Sequence, residues 1–326
     1  MDRREFLKRA AGAGLAIAGS ALGAAWLYDP RGGAEYFRSE ENKKTASLKS
    51  YRVDRGKGAV EMTVVRGKDP EKMMRAGIQA MGGIGSFVQK GDVVLIKPNV
   101  AFDRAPALGA TTSPDVLKAV ALLCKKAGAR KIIVADNPIN QPEGCFFKSG
   151  IQQAAADVGA EVMLPKPGAF SLVKIGGEIL KTWSMFHRPL EHATKVIGVA
   201  PCKDHNLCSA SMTMKNWYGL LGGRRNQFHQ QIHTVIADFA QMIRPTLVVL
   251  DATRVLMQNG PTGGRLSDVQ EADTLVIGTD MVAVDAFGYT LLGRDPEKLE
   301  YIHKAEARGL GSTKWKEQNW REVLAG

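Results

Sequence analysis

From residue 60 onward, short apolar runs rich in β-branched residues alternate with segments whose apolar positions recur every three or four residues. VEMTVVRG leads into EKMMRAGIQAMGG, DVVLIKPN into SPDVLKAVALLCKKAGA, and KIIVADNP into a helical pattern over 149–158. AEVMLP, TKVIGVA, TLVVLDA and DTLVIGT follow, the last opening onto DMVAVDAFGYTLLG. The strand-like runs are almost continuously apolar, as in a sheet buried on both faces. Strand and helix in alternation predict an α/β fold: a mostly parallel sheet covered by helices on both faces, in one or two lobes. The C-terminal KWKEQNWREVLAG predicts a short amphipathic helix that closes the core with Trp315 and Trp320.

The first residues follow a different grammar. MDRREFLKRAAGAGLAIAGSALGAAW sets a basic start before a weakly apolar Ala/Gly run and then small residues suited to a signal peptidase. Arg3, Arg4, Phe6, Leu7 and Lys8 reproduce the R-R-x-F-L-K pattern of twin-arginine signals, with Asp2 in place of the usual Ser or Thr. Four glycines interrupt the run over 10–28, which makes it a poor membrane span, although an uncleaved anchor stays open. The expected organisation is a twin-arginine signal peptide at 1–25, an extended polar linker at 26–58 and a single α/β domain at 59–326. Such a signal implies the twin-arginine translocase as an export partner and a periplasmic or otherwise extracytoplasmic destination, reached in the folded state.

Composition narrows the chemistry only slightly. The 326 residues are 44% hydrophobic and 24% charged, ordinary values for a globular chain. A formal charge of +11 favours an anionic partner without choosing one. Aromatic residues make up 7%, the basic residues are dispersed and the chain is addressed out of the cytoplasm, so nucleic acid is not the expected ligand. The four cysteines, Cys124, Cys145, Cys202 and Cys208, are too few for a disulfide framework. Cys202 and Cys208 are spaced to bridge or to ligate, but no C-x2-C-x2-C run is present, so no self-contained iron–sulfur cluster is expected.

In a sheet of this kind the ligand sits beyond the carboxyl ends of the strands. The residues there are Lys97, Pro98 and Asn99; Asp136 and Asn137; Lys203, Asp204 and His205; Asp251; and Thr279 and Asp280. Any one can be a turn or a helix cap; together they mark a cleft of amide, carboxylate, ammonium and imidazole groups. The stretch 205–237 holds no Asp or Glu but carries Lys215, Arg224, Arg225, His205, His229 and His233, a local positive field. GLLGGRR and NGPTGGR each place flexible backbone before an arginine, so the amides of Gly260, Gly263 and Gly264 and the side chains of Arg225 or Arg265 are candidates for a phosphate or carboxylate.

RRNQFHQQIH raises a separate question. If 227–242 is one helix, Phe228, Ile232, Val235, Ile236 and Phe239 form its buried stripe, and His229 and His233 share the adjoining face. Two imidazoles four residues apart can bond across to a neighbouring helix, contact an anion, or hold a divalent metal with His205, Asp204 or a cysteine as third ligand.

The ordered series KPN, TSPDVLKAVALLCKKAGARKIIVADNP, KDH with MKNWYGLLGG, the histidine pair, VVLDATRVLMQNGPTGG and GTDMVAVDAFG resembles the domain of unknown function family 362 over about 60–310. The resemblance implies that Lys97, Asn99, Lys203, His205, Lys215, Asn216, His229 or His233, Asn259, Gly260, Pro261, Gly263, Gly264, Asp280 and Asp285 occupy motif positions. It implies no reaction. Many relatives carry a ferredoxin-type segment that this sequence lacks.

Two classes of function follow. One is an exported enzyme, metal-assisted or redox-associated, in which a basic strand-end cleft binds a small anionic ligand. Lys203, His205 and His229 would be catalytic, Lys97, Asn99, Lys215, Asn216, Arg225, Asn259, Gly260, Gly263, Gly264 and Asp280 would hold the ligand, and His205, His229 and His233 would take a metal. The other is a noncatalytic binding or accessory protein serving an iron–sulfur or redox partner.

Overall fold

The computed structural model describes residues 2, 4, 5 and 45–326. The signal peptide expected at 1–25 therefore lies outside the described residues except at three positions, and so does the linker up to residue 44.

The main sheet is built from β2 (Met62–Arg66), β3 (Val93–Lys97), β4 (Lys131–Ala135), β5 (Glu161–Met163), β8 (Lys195–His205), β10 (Leu247–Leu256), β11 (Val269–Gly278) and β12 (Trp320–Leu324), in the order β12-β2-β11-β10-β8-β3-β4-β5. β9 (Ser209–Ser211) adds a short antiparallel hairpin onto the end of β8. Only β11 runs against its neighbours in the central path, so the sheet is mostly parallel as the apolar runs predicted.

Alternate residues of each strand enter opposite cores, the two-residue period of a pleated strand. Val94, Ile96, Ile132, Val134, Ile197, Val199 and Val249 pack on one face with α1 (Pro70–Ala80), α2 (Pro114–Lys126), α3 (Pro142–Lys148) and α4 (Ile151–Asp157). Leu95, Ile133, Val196, Val248 and Leu250 pack on the other with α6 (Ile232–Met242), α7 (Met281–Leu291) and α8 (Glu300–Glu306). Local signals place the helices. Asp69 accepts from the backbone N–H groups of Glu71 and Lys72 ahead of Pro70 in α1, and Asp280 accepts from Val282 and Ala283 at the start of α7.

A small second sheet, β1 (Ala46–Ser47), β6 (Phe170–Lys174) and β7 (Thr182–Phe186), lies on the α6 side and shares that core through Phe170, Val173 and Phe186. Its first strand falls within the segment read as an extended linker. Within 45–58 the chain is extended, but β1 pairs with β6, and Tyr51 is buried with its backbone N–H on Arg244 and its carbonyl accepting from Thr246. The C-terminus departs from expectation. Trp320–Leu324 is an edge strand parallel to β2, not a helix, and its tryptophan stacks edge-on against Trp315, 5.0 Å between centroids. With Trp320, Val323 and Leu324 in so short a stretch, pairing with the open edge of β2 outweighs the helical spacing.

Strand order reverses between β3 and β8. From β3 the chain winds outward through β4 and β5, and from β8 it winds the other way through β10 and β11. A crevice opens at such a switch point, beyond the carboxyl ends of the strands.

Candidate functional site

A cavity of about 300 Å³ occupies that crevice. Lys97 closes β3 on one side of it, and the overhanging end of β8 supplies the other. The apolar run TKVIGVA suggested that β8 stops before Lys203; instead it continues through His205, held by β9 in the register Lys203↔Ser211 and His205↔Ser209. Two-residue alternation then turns Lys203 and His205 to the cavity. Asp204 faces away, where Arg294 reaches it at 2.6 Å and the backbone N–H of Gly260 at 2.9 Å.

The lysines of the cavity differ in their partners. Lys97 Nζ donates to Asp136 Oδ1 at 2.6 Å, to the Pro98 carbonyl at 2.7 Å and to Asn216 Oδ1 at 3.0 Å, so all three ammonium hydrogens are engaged. Asp136 also accepts from the backbone of Val100 at 2.7 Å and of Asn137 at 3.0 Å, and the pair is sealed from water. A Cβ on Gly219 would lie 2.2 Å from Asp136 Oδ1, so only glycine permits the backbone to cover the pair. Burial lowers the Lys97 pKa and Asp136 opposes that shift.

Lys203 has no carboxylate. It donates to the Ala110 carbonyl at 2.6 Å and to Asn99 Oδ1 at 3.5 Å, and it lies 5.1 Å from the centre of the Phe102 ring. One hydrogen remains. Burial, reinforced by the charge of Lys215, pulls its pKa down to about 7. Lys215 makes no hydrogen bond or ion pair among the described residues; its ammonium sits 5.0 Å over the Tyr218 ring, and burial lowers its pKa too. Lys215 is carried by the single turn α5 (Thr213–Asn216), which Asp285 of α7 fixes by accepting from the backbones of Thr213 at 2.8 Å and Met214 at 3.1 Å and from the Thr213 hydroxyl at 2.5 Å. Wholly buried, Asp285 has its pKa raised to about 7.

Two neutral imidazoles complete the wall in opposite tautomers. His205 Nδ1 accepts the Leu207 backbone N–H at 3.1 Å, which leaves the proton on Nε2. Burial, then Lys215 and Lys203, push its pKa to about 2. His229 Nδ1 faces the Asn226 carbonyl at 2.9 Å and must donate to it, so Nε2 keeps a lone pair. Burial is the main cause that lowers the His229 pKa, and its ring lies 5.5 Å from that of Tyr218. The cavity thus combines unneutralised ammonium groups, one N–H donor and one basic nitrogen.

Several expected members stand apart. The single helix over 227–242 is corrected: Arg225–Gln231 forms 3₁₀ turns and the α-helix begins at Ile232. The change of pitch separates the histidines. His229 lines the cavity, whereas His233 stacks on Tyr301 at 6.3 Å and approaches Glu300 at 3.8 Å. Arg225 borders the cavity, but its guanidinium donates to the carbonyls of Asn137, Pro138 and Leu221 and pins those loops together. Asn216 is engaged by Lys97 and by the carbonyls of Lys97 and Val199.

The NGPTGG loop reaches the cavity through Pro261. The N–H of Gly260 is taken by Asp204 and that of Gly263 by the Asn259 carbonyl at 3.0 Å, while the Asn259 side chain donates to Asp268 at 3.0 Å. A Cβ on Gly260 would fall 1.9 Å from the Asp204 carbonyl oxygen, which explains that glycine by packing. Gly264 and Arg265 are exposed and do not line the cavity, and Asp280 caps α7 and accepts from Ser312 and Gln318 elsewhere. Cys202 and Cys208 are separate buried thiols. Sequence reasoning passed over Phe102, Ile139, Leu207 and Tyr218, which lack ionisable side chains at neutral pH and show their place only once the crevice is assembled.

Comparison with known proteins adds three similarities. The chain is 25% identical over 248 residues to the thylakoid-associated protein sll1697 of Synechocystis, covering 74% of this chain and 75% of that one. The structure of the lactate racemase apoprotein from Thermoanaerobacterium thermosaccharolyticum superposes with a TM-score of 0.41 at 12% identity, over 75% of this chain and 58% of that one, so the chain spans less than two thirds of that protein. The model of one family matches residues 94–290, the segment that contains β8, β10, all but the first residue of β3 and every lysine and histidine of the cavity. The chain belongs to the family described as Domain of unknown function (DUF362).

Proposed function

We propose that the cavity between β3 and β8 binds a small anion, a carboxylate or phosphate, through Lys203, Lys215 and the Nε2–H of His205, and that His229 Nε2 accepts a proton from the bound molecule. The observation that carries this reading is the pair of ammonium groups without a carboxylate, facing one cavity. Buried cations are ordinarily paired, so two without a counter-charge are best completed by a ligand. The histidine tautomers support an enzyme, since a donor and an acceptor of protons border the same space.

Titration calorimetry with acetate and with inorganic phosphate tests it. Binding that Lys203→Met and Lys215→Met weaken about tenfold or more supports the reading, and equal heats in parent and variants overturn it. Binding that survives with no histidine-dependent turnover on any small acid would favour the accessory-protein role.

A divalent metal is a second reading, supported by the lone pair on His229 Nε2. Metal analysis of the purified protein beside His229→Ala decides it: stoichiometric metal lost in the variant supports it, and a metal-free parent sinks it. Export in the folded state through the twin-arginine translocase rests on Arg3 and Arg4 in their R-R-x-F-L-K context. Fractionation of cells carrying the double Lys replacement of those arginines should show the protein retained in the cytoplasm.

A further inference from the structure

Among the described residues five large hydrophobic side chains are strongly exposed, and two of them, Ile139 at 55% and Leu207 at 50%, line the mouth of the same cavity. They come from separate walls. Ile139 follows β4, its N–H bonded to the Ala101 carbonyl at 2.9 Å, and Leu207 sits at the turn between β8 and β9, its N–H bonded to His205. Both backbones are therefore fixed. The ring of Phe102, beside Lys203, continues the apolar surface inward. Lys203, which keeps one hydrogen unengaged, lies deeper, at 1% exposed, and Lys215 lines the same cavity.

An inorganic anion would use the ammonium groups and leave Ile139 and Leu207, which line the same cavity, against water. We infer that the ligand is an organic monoacid with an apolar tail, its carboxylate at Lys203 and Lys215 and its tail between Ile139, Leu207 and Phe102. This rests on the anion reading and adds the class of molecule. A small amphiphile fits better than a docked protein, because the apolar residues and the cations share one cavity of about 300 Å³, the size of a metabolite site.

Calorimetry of the full chain with acetate, butyrate, hexanoate and phenylacetate tests the inference. Affinity should rise about two- to fourfold for each added methylene until the mouth is filled. Leu207→Ser and Ile139→Ser, both on exposed side chains that the fold does not need, should flatten that rise; acetate, which carries no tail, serves as the control ligand. A flat series in the parent with acetate still bound would overturn the inference and leave the anion reading standing, and failure of every acid to bind would remove both. A rise that persists undiminished in both variants would overturn the assignment of the tail to the mouth. A flat series accompanied by concentration-dependent self-association that Leu207→Ser abolishes would reassign the two residues to a contact between copies of the chain.

Discussion

Lys97 and Lys203 lie at or near the carboxyl ends of adjacent strands, are equally buried and face one cavity, yet they belong to opposite designs. All three hydrogens of Lys97 have partners, and Gly219 packs against the ion pair too closely for anything else to enter. Around Lys203 no carboxylate is within bonding distance, the charge of Lys215 opposes its own, and its contacts are a carbonyl, an amide oxygen and a ring. The first arrangement holds the crevice in shape, and the second leaves it unfinished. Burial and residue type alone do not separate a structural lysine from a binding one; the census of partners does.

The largest expected effect breaks the Lys97 side. Asp136→Ala strands a buried ammonium and the N–H groups of Val100 and Asn137 together, so urea unfolding should report a loss of about 3–5 kcal/mol. If the loss is within 0.5 kcal/mol, roughly the scatter of surface substitutions, the ion pair does not hold the crevice. Acetate should act on the other side only. At a hundred times its dissociation constant it should stabilise the parent by about 2.7 kcal/mol, and Lys203→Met or Lys215→Met should remove most of that gain.

The pH dependence sharpens the contrast. The folded pKa of Lys203, about 7, lies below its ordinary 10.5. Between those values the unfolded chain binds the proton and the folded chain does not, so the parent gains stability as pH rises from 7 to 10.5. Unfolding of parent and Lys203→Met at pH 7 and pH 10 should move the difference toward the parent by more than about 1.4 kcal/mol, the worth of one pK unit. Acetate affinity should fall over the same rise, because the ammonium that attracts it is lost. A difference independent of pH would mean that Lys203 is an ordinary charged lysine.

Much of this is legible in the sequence. Continuous apolar runs such as VVLIK and KIIVA fixed the sheet and its burial, because only a strand covered on both faces tolerates them. The strand-end rule led directly to Lys97, Asn99, Lys203 and His205. What stayed hidden was the partner of each group. Nothing in the order of residues says that Asp136 takes Lys97 and leaves Lys203, that Arg225 turns to the Asn137 carbonyl, or that the Gly260 amide meets Asp204; these pairs are 39, 88 and 56 residues apart. The helix at RRNQFHQQIH failed for a local reason. Its apolar spacing is sound, but Tyr218 bonds the Arg225 carbonyl and Arg225 holds three carbonyls, of Asn137, Pro138 and Leu221, which keeps the first turns in tighter pitch.

That change of pitch yields the smallest and most discriminating effect. His229→Ala and His233→Ala should each cost about 1 kcal/mol or less, since both side chains are partly exposed and make few bonds. Their consequences for the ligand should differ. His229 borders the cavity with its basic nitrogen unengaged, so its loss should alter acetate binding or the proton uptake that accompanies it. His233 packs on Tyr301 beside Glu300, and its loss should leave both unchanged. Calorimetry in two buffers of different ionisation enthalpy separates heat of binding from heat of protonation. Equal behaviour of the two variants would restore the continuous helix face and undo the division of the histidines on which the proton-acceptor role of His229 depends.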